Sequence, residues 1–343
     1  MDLMDEINQQ PGALRALAAT LFDGERLAAF DRLPTPSAPL LTGMGASYHA
    51  GLIAAFHLRS LGIPAEAIEA VDLLNYSLPA VADRQVLLYI SQSGSSGEVD
   101  PILDRLSSHL RLISLTNNPL SSLSLISQHA LSMAAGEETL IAGKTYLNTL
   151  AVLWLLARHW GGVIDGSERR ALLDAADRAE TILGQAANTQ TRFLETFGPA
   201  PRLLFLGHGP HAVTAREAAM TLSEWAKVPA LHSGVGAYRH GFIESISPGQ
   251  AVVIFAAPGV SRISTLAVAD ELAGYQARVL LVENGRVVTP SEASEASKAE
   301  PALDEFLSPL LDIIPIQLYA RALANAQGIP PGFQHISKVV TRL

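Results

Sequence analysis

With 343 residues, 48% of them hydrophobic and 17% charged, the chain can bury one or two full cores, and about 150 residues per domain favours two. Its net charge of −9, with lysines and arginines scattered, leaves out the basic patch of a nucleic-acid binder, and zero cysteines exclude disulfides, thiolate metal sites and a cysteine nucleophile. No apolar run reaches the roughly 20 residues that a bilayer span needs, and the acidic start MDLMDEINQQ lacks the basic region of a signal peptide, so a cytoplasmic location with no membrane partner is expected.

Residues 12–32 carry leucine and alanine at helical spacing up to the stop signal PTPSAP, which predicts one helix. PLLTGMGAS then reads as a short strand, a tight turn and a helix start, with the helical period continuing to Gly62. DRQVLLYISQSGSSGEVDPILDRL repeats that grammar, and LRLISLTNNP adds a third apolar strand. After helices at about 145–160 and 167–186, PRLLFLGHGPHAVTAREAAMTLSEWA restarts the pattern, with Gly207 and Gly209 standing where Gly43 and Gly45 stood. Such a restart predicts a duplicated domain. The second copy continues with the strand QAVVIFAAPG, a helix at about 261–275, the strand ARVLLVE and the helix LLDIIPIQLYARALANAQG, which GIPPG breaks before the tail FQHISKVVTRL. Strands alternating with helices predict an α/β protein of parallel, three-layer sheets. The expected division is 1–165 for the first domain with its leading helix, 166–195 for connecting helices and 196–343 for the second domain with its tail.

Ligands of open parallel sheets sit at the carboxyl ends of the strands, where these small-residue turns fall. An acidic chain that binds an anion must do so locally, through backbone N–H groups and hydroxyls. Ser91, Gln92, Ser93, Gly94, Ser95 and Ser96 follow the strand VLLYI directly, and Ser47 follows GMGA. Two readings stay open for the serine turn: a phosphate cradle, or a capped helix after a polar turn. Three other motifs fail on spacing. GMGASY has Tyr48 where a dinucleotide fingerprint needs its third glycine, and AGKT at 142–145 lies six residues, not four, after Gly136. His49, His208, His211, His232, His240 and His335 show no metal-ligand spacing, so neither a metal nor a cofactor is expected.

Taken in order, several segments resemble the sugar isomerase (SIS) family, in particular the isomerase domain of glucosamine-6-phosphate synthase and its glutaminase-free relatives. Glu6, Ile7, Gln10 and Pro11 match its opening EI-x-EQP, and SQSGSSGE is similar to its SQSGET phosphate loop. GEETLIAGKTYLNTL resembles its GEE-x-x-V-S-T-K-T-Y segment, GHGPHAVTAREAAMTLSEWA its second-domain helix, AYRHGF its E-x-K/R-H-G-P turn, and HISKVVTRL its L-x-K-V-T tail. The resemblance implies two tandem SIS domains.

It also implies roles. Ser47, Ser91, Gln92, Ser93 and Ser96 would hold the phosphate of a sugar 6-phosphate. Glu224 would move the proton between C1 and C2, His240 would open the ring, and Lys338 would engage the open-chain carbonyl. His240 would reach the partner's pocket in a homodimer. Read by themselves, Glu224 is a helix acid, His240 a turn histidine and Lys338 a tail residue.

Departures surround the sugar end of the pattern. Thr221 replaces a lysine, Ile141, Ala142 and Gly143 replace V-S-T, Ala237 replaces an acid, Phe242 replaces the HGP proline, and Pro331–Gln334 replaces D-x-PR. The expected activity is that of a phosphosugar isomerase or deaminase, catabolic and similar to glucosamine-6-phosphate deaminase. The alternatives are a deglycase of a phosphorylated sugar–amine conjugate and a non-catalytic sugar-phosphate sensor. The chain's start at the family's own first helix, with no DNA-binding or glutaminase segment before it, and the retention of Glu224, His240 and Lys338 favour the catabolic enzyme.

Overall fold

The computed structural model describes residues 2–24, 26–81, 86–106, 110–199, 201–256, 258–296 and 303–341. The last two tail residues, Arg342 and Leu343, lie outside that set. The chain forms two compact units, one of Gln9–Ala176 with Phe333–Leu343 and one of Met1–Asn8 with Asp177–Gly332.

In the first unit, strands β1 (Leu40–Gly43), β2 (Glu66–Glu69), β3 (Val86–Ile90), β4 (Arg111–Thr116) and β5 (His129–Ser132) pair in parallel in the order β2-β1-β3-β4-β5. β1 and β3 are buried at every position, as expected of strands covered on both faces. Alternate residues divide between the faces. Leu87 and Tyr89 join Leu73, Val99, Ile102 and Leu123 in one core cluster. On the other face the helix Gly45–Ser60 comes so close that a Cβ on Gly51 would lie 3.3 Å from the Ile90 side chain. The helix Lys144–Trp160 is buried along almost its whole length. Within it, Asn148 donates to Ala13 O at 3.1 Å and Met133 O at 2.8 Å, which ties it to the leading helix.

That leading helix is shorter than its periodicity suggests. It spans Gln10–Leu21, and the chain leaves it at Phe22 with extended backbone. Asp23 pairs with Arg26 across Gly24, whose φ is +61°, before a 3-10 turn at Ala28–Phe30. The Asp-Gly pair makes a turn, and local turn chemistry overrides the apolar spacing that continues to residue 32.

The second unit repeats the plan. Its strands β6 (Leu203–Gly207), β7 (Ala230–Gly234), β8 (Ala251–Phe255), β9 (Arg278–Glu283) and β10 (Arg286–Val288) lie in the order β7-β6-β8-β9-β10. The topology is that of the first sheet, except that β10 is antiparallel to β9. The two join through Asn284 and Gly285 at φ +50° and +76°, the left-handed pair that a two-residue hairpin turn requires. The duplication extends to single glycines. Gly45 and Gly209 open equivalent helices at φ +51° and +50°. Gly43 and Gly207 end the preceding strands where a Cβ would lie 2.6 Å from Ile90 O and 2.2 Å from His211 O respectively. The helix Ile314–Gln327 closes this unit, with Tyr319 stacked on Phe193 at 4.4 Å and Arg321 paired with Asp2.

Candidate active site

A sheet of order β2-β1-β3-β4-β5 changes direction between β1 and β3, and the carboxyl ends of those two strands are where sheets of this kind bind their ligands. The predicted hydroxyls lie there. Ser47 is the third residue of the helix Gly45–Ser60, whose N-cap, Met44, offers no side-chain hydrogen bond to the helix start. A Cβ on Gly43 would touch Ser47 Cβ at 3.0 Å as well as Ile90 O, so strand end, Ser47 and the start of the next loop pack around one glycine.

The loop Ser91–Ser96 is held from within and from β4. Ser91 Oγ accepts from Gly94 N at 3.1 Å, and Ser93 Oγ accepts from Ser95 N at 3.2 Å. Gln92 O accepts from Asn117 N at 3.0 Å and Thr116 Oγ1 at 3.2 Å. Ser96 Oγ donates to Glu98 Oε1 at 2.5 Å, so its hydroxyl is engaged by a buried carboxylate. Ser91 is buried, while Gln92, Ser93 and Ser96 are half-buried. Apart from the Glu98 carboxylate, these side chains are neutral and sit at a strand end, near the start of a 16-residue helix that no side chain caps.

Lys338 lies in the same unit as this loop. Its Nζ donates to Glu138 Oε2 at 3.0 Å and to Leu140 O at 2.5 Å. Two residues on, Val340 O accepts from Gly97 N at 3.1 Å, next to the serine loop. Nothing in the sequence around Glu138 points to this role. It lies within GEE, but its partner is 200 residues away. Lys144, the lysine of the AGKT look-alike, is 3% exposed and donates to Gln9 Oε1 at 2.6 Å and Glu137 O at 2.5 Å, a structural role within the fold.

Glu224 and His240 belong to the second unit. Glu224 is half-buried in the last turns of the helix Pro210–Ala226, and Lys227, left-handed at φ +55°, ends that helix and bonds to Glu224 O and, at 2.9 Å, to Gly332 O. His240 is exposed just after the short helix Val235–Arg239 and lines a cavity of about 390 Å³ with His208, Arg239 and Ser264. Burial holds the His208 imidazole below its ordinary pKa.

The second sheet's counterpart of Ser47 is His211, reached by the same strand-glycine-helix turn. It is 2% exposed, with Nε2 at 3.1 Å from Ser308 Oγ and Nδ1 at 3.8 Å from Asp312 Oδ2. Ser308 and Asp312 are also fully enclosed, so the Ser-His-Asp order carries no access for a substrate. Burial pushes His211 down to about 4 and raises Asp312 well above the usual carboxylate range, which drives both toward their neutral forms. Pro210 also removes one N–H from this helix start, so the second turn has one donor fewer than the first.

Among the described residues no group of three or more histidines, aspartates or glutamates is arranged to hold a metal, and no helix is long and apolar enough to cross a membrane.

Known proteins share this architecture. The SIS domain family profile matches residues 39–158, which span the whole first sheet and most of the helix Lys144–Trp160. Glutamine–fructose-6-phosphate aminotransferase (isomerizing) of Methanothermobacter thermautotrophicus is 29% identical over 348 residues, covering 99% of this chain and 57% of that protein. The chain thus spans little more than half the length of the curated relatives it matches. Among solved structures, the C-terminal domain of glucosamine-fructose-6-phosphate aminotransferase from Francisella tularensis superposes with a TM-score of 0.82 at 18% identity, over 97% of this chain and 98% of that one. Glucosamine-6-phosphate deaminase from Thermotoga maritima does so with a TM-score of 0.77 at 21% identity, over 99% of each. At these identities the superpositions speak for the fold, two sheets of one topology flanked by helices. Residues 39–158 thus match the SIS domain, and the two sheets of one topology carry the α/β fold of two tandem SIS domains.

Proposed function

We propose that the chain is a phosphosugar isomerase or deaminase acting on an amino sugar 6-phosphate. The observation that carries this reading is the hydroxyl-lined loop Ser91–Ser96 at the switch point of the first sheet, with the C-terminal tail bonded next to it through Val340 O and Gly97 N, two residues from Lys338. In this reading Ser47, Ser91, Gln92, Ser93 and Ser96 bind the phosphate, whose charge neutral donors and helix N–H groups can satisfy without a basic patch. Fixing the phosphate leaves C1 and C2 at the far end of the substrate. Lys338 engages the carbonyl there, His240 moves a proton between ring oxygen and anomeric hydroxyl, and Glu224 carries the proton between C1 and C2. The half-buried state of Glu224 suits a base that must be shielded yet reachable. A homodimer, with His240 serving the partner's site, completes the reading.

The names of the relatives support this class of substrate: an isomerizing aminotransferase of fructose 6-phosphate and a deaminase of glucosamine 6-phosphate. Phe242, 66% exposed two residues after His240, favours a second reading, in which the amino group carries an apolar substituent and the enzyme is a deglycase. The test is a screen of purified protein against glucosamine 6-phosphate, fructose 6-phosphate and N-substituted amino sugar 6-phosphates, following ammonia or amine release and aldose–ketose conversion. Turnover of at least one of these is expected. Absence of turnover with every one of them would overturn the proposal.

A further inference from the structure

Glu138 is a buried carboxylate that none of the roles above uses. Its side chain has no exposed surface, and four donors converge on it. Oε1 accepts from Gly143 N at 2.9 Å and Thr145 N at 3.2 Å, and Oε2 accepts from Thr145 Oγ1 at 2.5 Å and Lys338 Nζ at 3.0 Å. Gly143 and Thr145 begin the 17-residue helix Lys144–Trp160, whose N-cap supplies no side-chain acceptor of its own. One carboxylate therefore satisfies the open N–H groups of a helix start and faces an ammonium on the C-terminal tail. Lys338 places a second N–H on Leu140 O, which leaves one of its three donors. Val340 then accepts from Gly97 N, so the tail is fastened at two points, the second of them at the serine loop's exit.

We propose that Glu138 is the positioning residue for Lys338: it docks the lysine, and with it the C-terminal tail, beside the Ser91–Ser96 loop. The inference rests on the role proposed above for Lys338, since a docked ammonium with one donor left is what carbonyl engagement requires. An unpinned lysine would sample many rotamers in solvent, and the orientation that makes it effective would be lost. The charge matters as much as the shape, because the helix-start contacts need only an acceptor whereas the lysine contact is an ion pair.

Glu138→Gln separates the two. Its amide oxygen can still accept from Gly143 and Thr145, but the ion pair with Lys338 is gone. Trypsin cleavage after Lys338, followed by mass spectrometry of the released peptide beginning at Val339, should be about tenfold faster in Glu138→Gln than in the parent, with Glu138→Asp between them. The kcat on the sugar 6-phosphate should fall by a similar factor with KM unchanged, because the phosphate is held by the serines. Equal cleavage rates in a folded Glu138→Gln protein would overturn the proposal. Should that variant fail to fold, Lys338→Met tests the same contact from the surface: hydrogen exchange across 333–341 should quicken, and unchanged protection would overturn the proposal. Full turnover by Lys338→Met would remove the carbonyl role, and the cleavage rates would still decide whether Glu138 docks the tail.

Discussion

Replacing Gly94 by alanine should loosen the serine loop by an amount that can be worked out from its surroundings. Gly94 sits at φ +62°, and a Cβ there would lie 2.1 Å from Ser121 Oγ and 2.6 Å from Ser121 Cβ. Ser121 cannot simply turn away. It is 3% exposed, its hydroxyl donates to Asn118 O at 2.8 Å, and it accepts from Ser124 N at 3.3 Å as the N-cap of the helix Ser122–Ile126. The left-handed backbone adds about 1–2 kcal/mol for an L side chain, and overpacking adds about 1–3 kcal/mol. Gly94→Ala should therefore lower the stability of the first unit by about 2–5 kcal/mol, read as a shift in the urea midpoint, and should weaken binding of a sugar 6-phosphate in calorimetric titration. Adding Ser121→Gly removes the colliding side chain and exchanges one tolerated N-cap for another at a few tenths of a kcal/mol. The double variant should recover the overpacking share of about 1–3 kcal/mol and keep the backbone share. A single variant as stable as the parent, or a double variant no better than the single, would refute the reasoning.

Ser93→Ala should weaken a sugar 6-phosphate by about 1–3 kcal/mol in calorimetric titration while leaving the melting curve in place, and unchanged affinity would count against the cradle. Glu224→Gln should keep substrate binding but slow the chemical step by about 10² to 10⁴-fold, with loss of solvent deuterium incorporation at C1 or C2, and full activity in that variant would reassign the base. Mixed His240→Ala and Glu224→Gln subunits should regain part of the activity that each lacks alone, whereas a fully active monomer in light scattering would end the shared-site idea. The buried His211–Asp312 pair predicts a pH dependence whose two contributions have opposite sign. His211, held near 4 when folded, loses native stability as pH falls from about 6.5 toward 4, because only the unfolded chain takes up the proton there. Asp312, raised by burial and by the nearby Glu283 although Gly285 N donates to it at 2.7 Å, loses stability as pH rises above its unfolded value of about 3.8. Asp312→Asn keeps an acceptor for Gly285 and removes only the second contribution. Its stability relative to the parent should thus grow from pH 5 to pH 8 in urea titrations, and a constant difference would show that Asp312 does not titrate in this way.

The serine loop was legible because its chemistry is local: six consecutive small or polar residues directly after an apolar strand, with Gly94 where only a left-handed residue fits. Gly43, Gly45, Gly207 and Gly209 were legible as a repeat for the same reason, since each turn needs its glycines whatever the rest of the chain does. Glu138 was not. Its four donors come from a helix start five to seven residues away and from a lysine 200 residues away, and only the folded chain brings that lysine to it.

Strands divide along the same line. The apolar runs at β1, β3, β4, β6, β8 and β9 stand out in the sequence, and these are the interior strands of the two sheets. The four strands that did not stand out, β2, β5, β7 and β10, are the four sheet edges. An interior strand is covered on both faces and paired on both sides, so it is mostly apolar and announces itself. An edge strand such as EAIE or ALHSG is short and partly exposed. Nothing in its own residues demands a strand, and it becomes one because a neighbour offers unpaired backbone groups. The sequence by itself determined the interior strands, the duplicated turns and the hydroxyl loop. The end of the leading helix at Leu21 was also written in the chain, as an Asp-Gly turn that the apolar spacing hides, whereas tertiary structure alone decided the sheet edges and the docking of Lys338 on Glu138, because each of these depends on partners that periodicity does not encode.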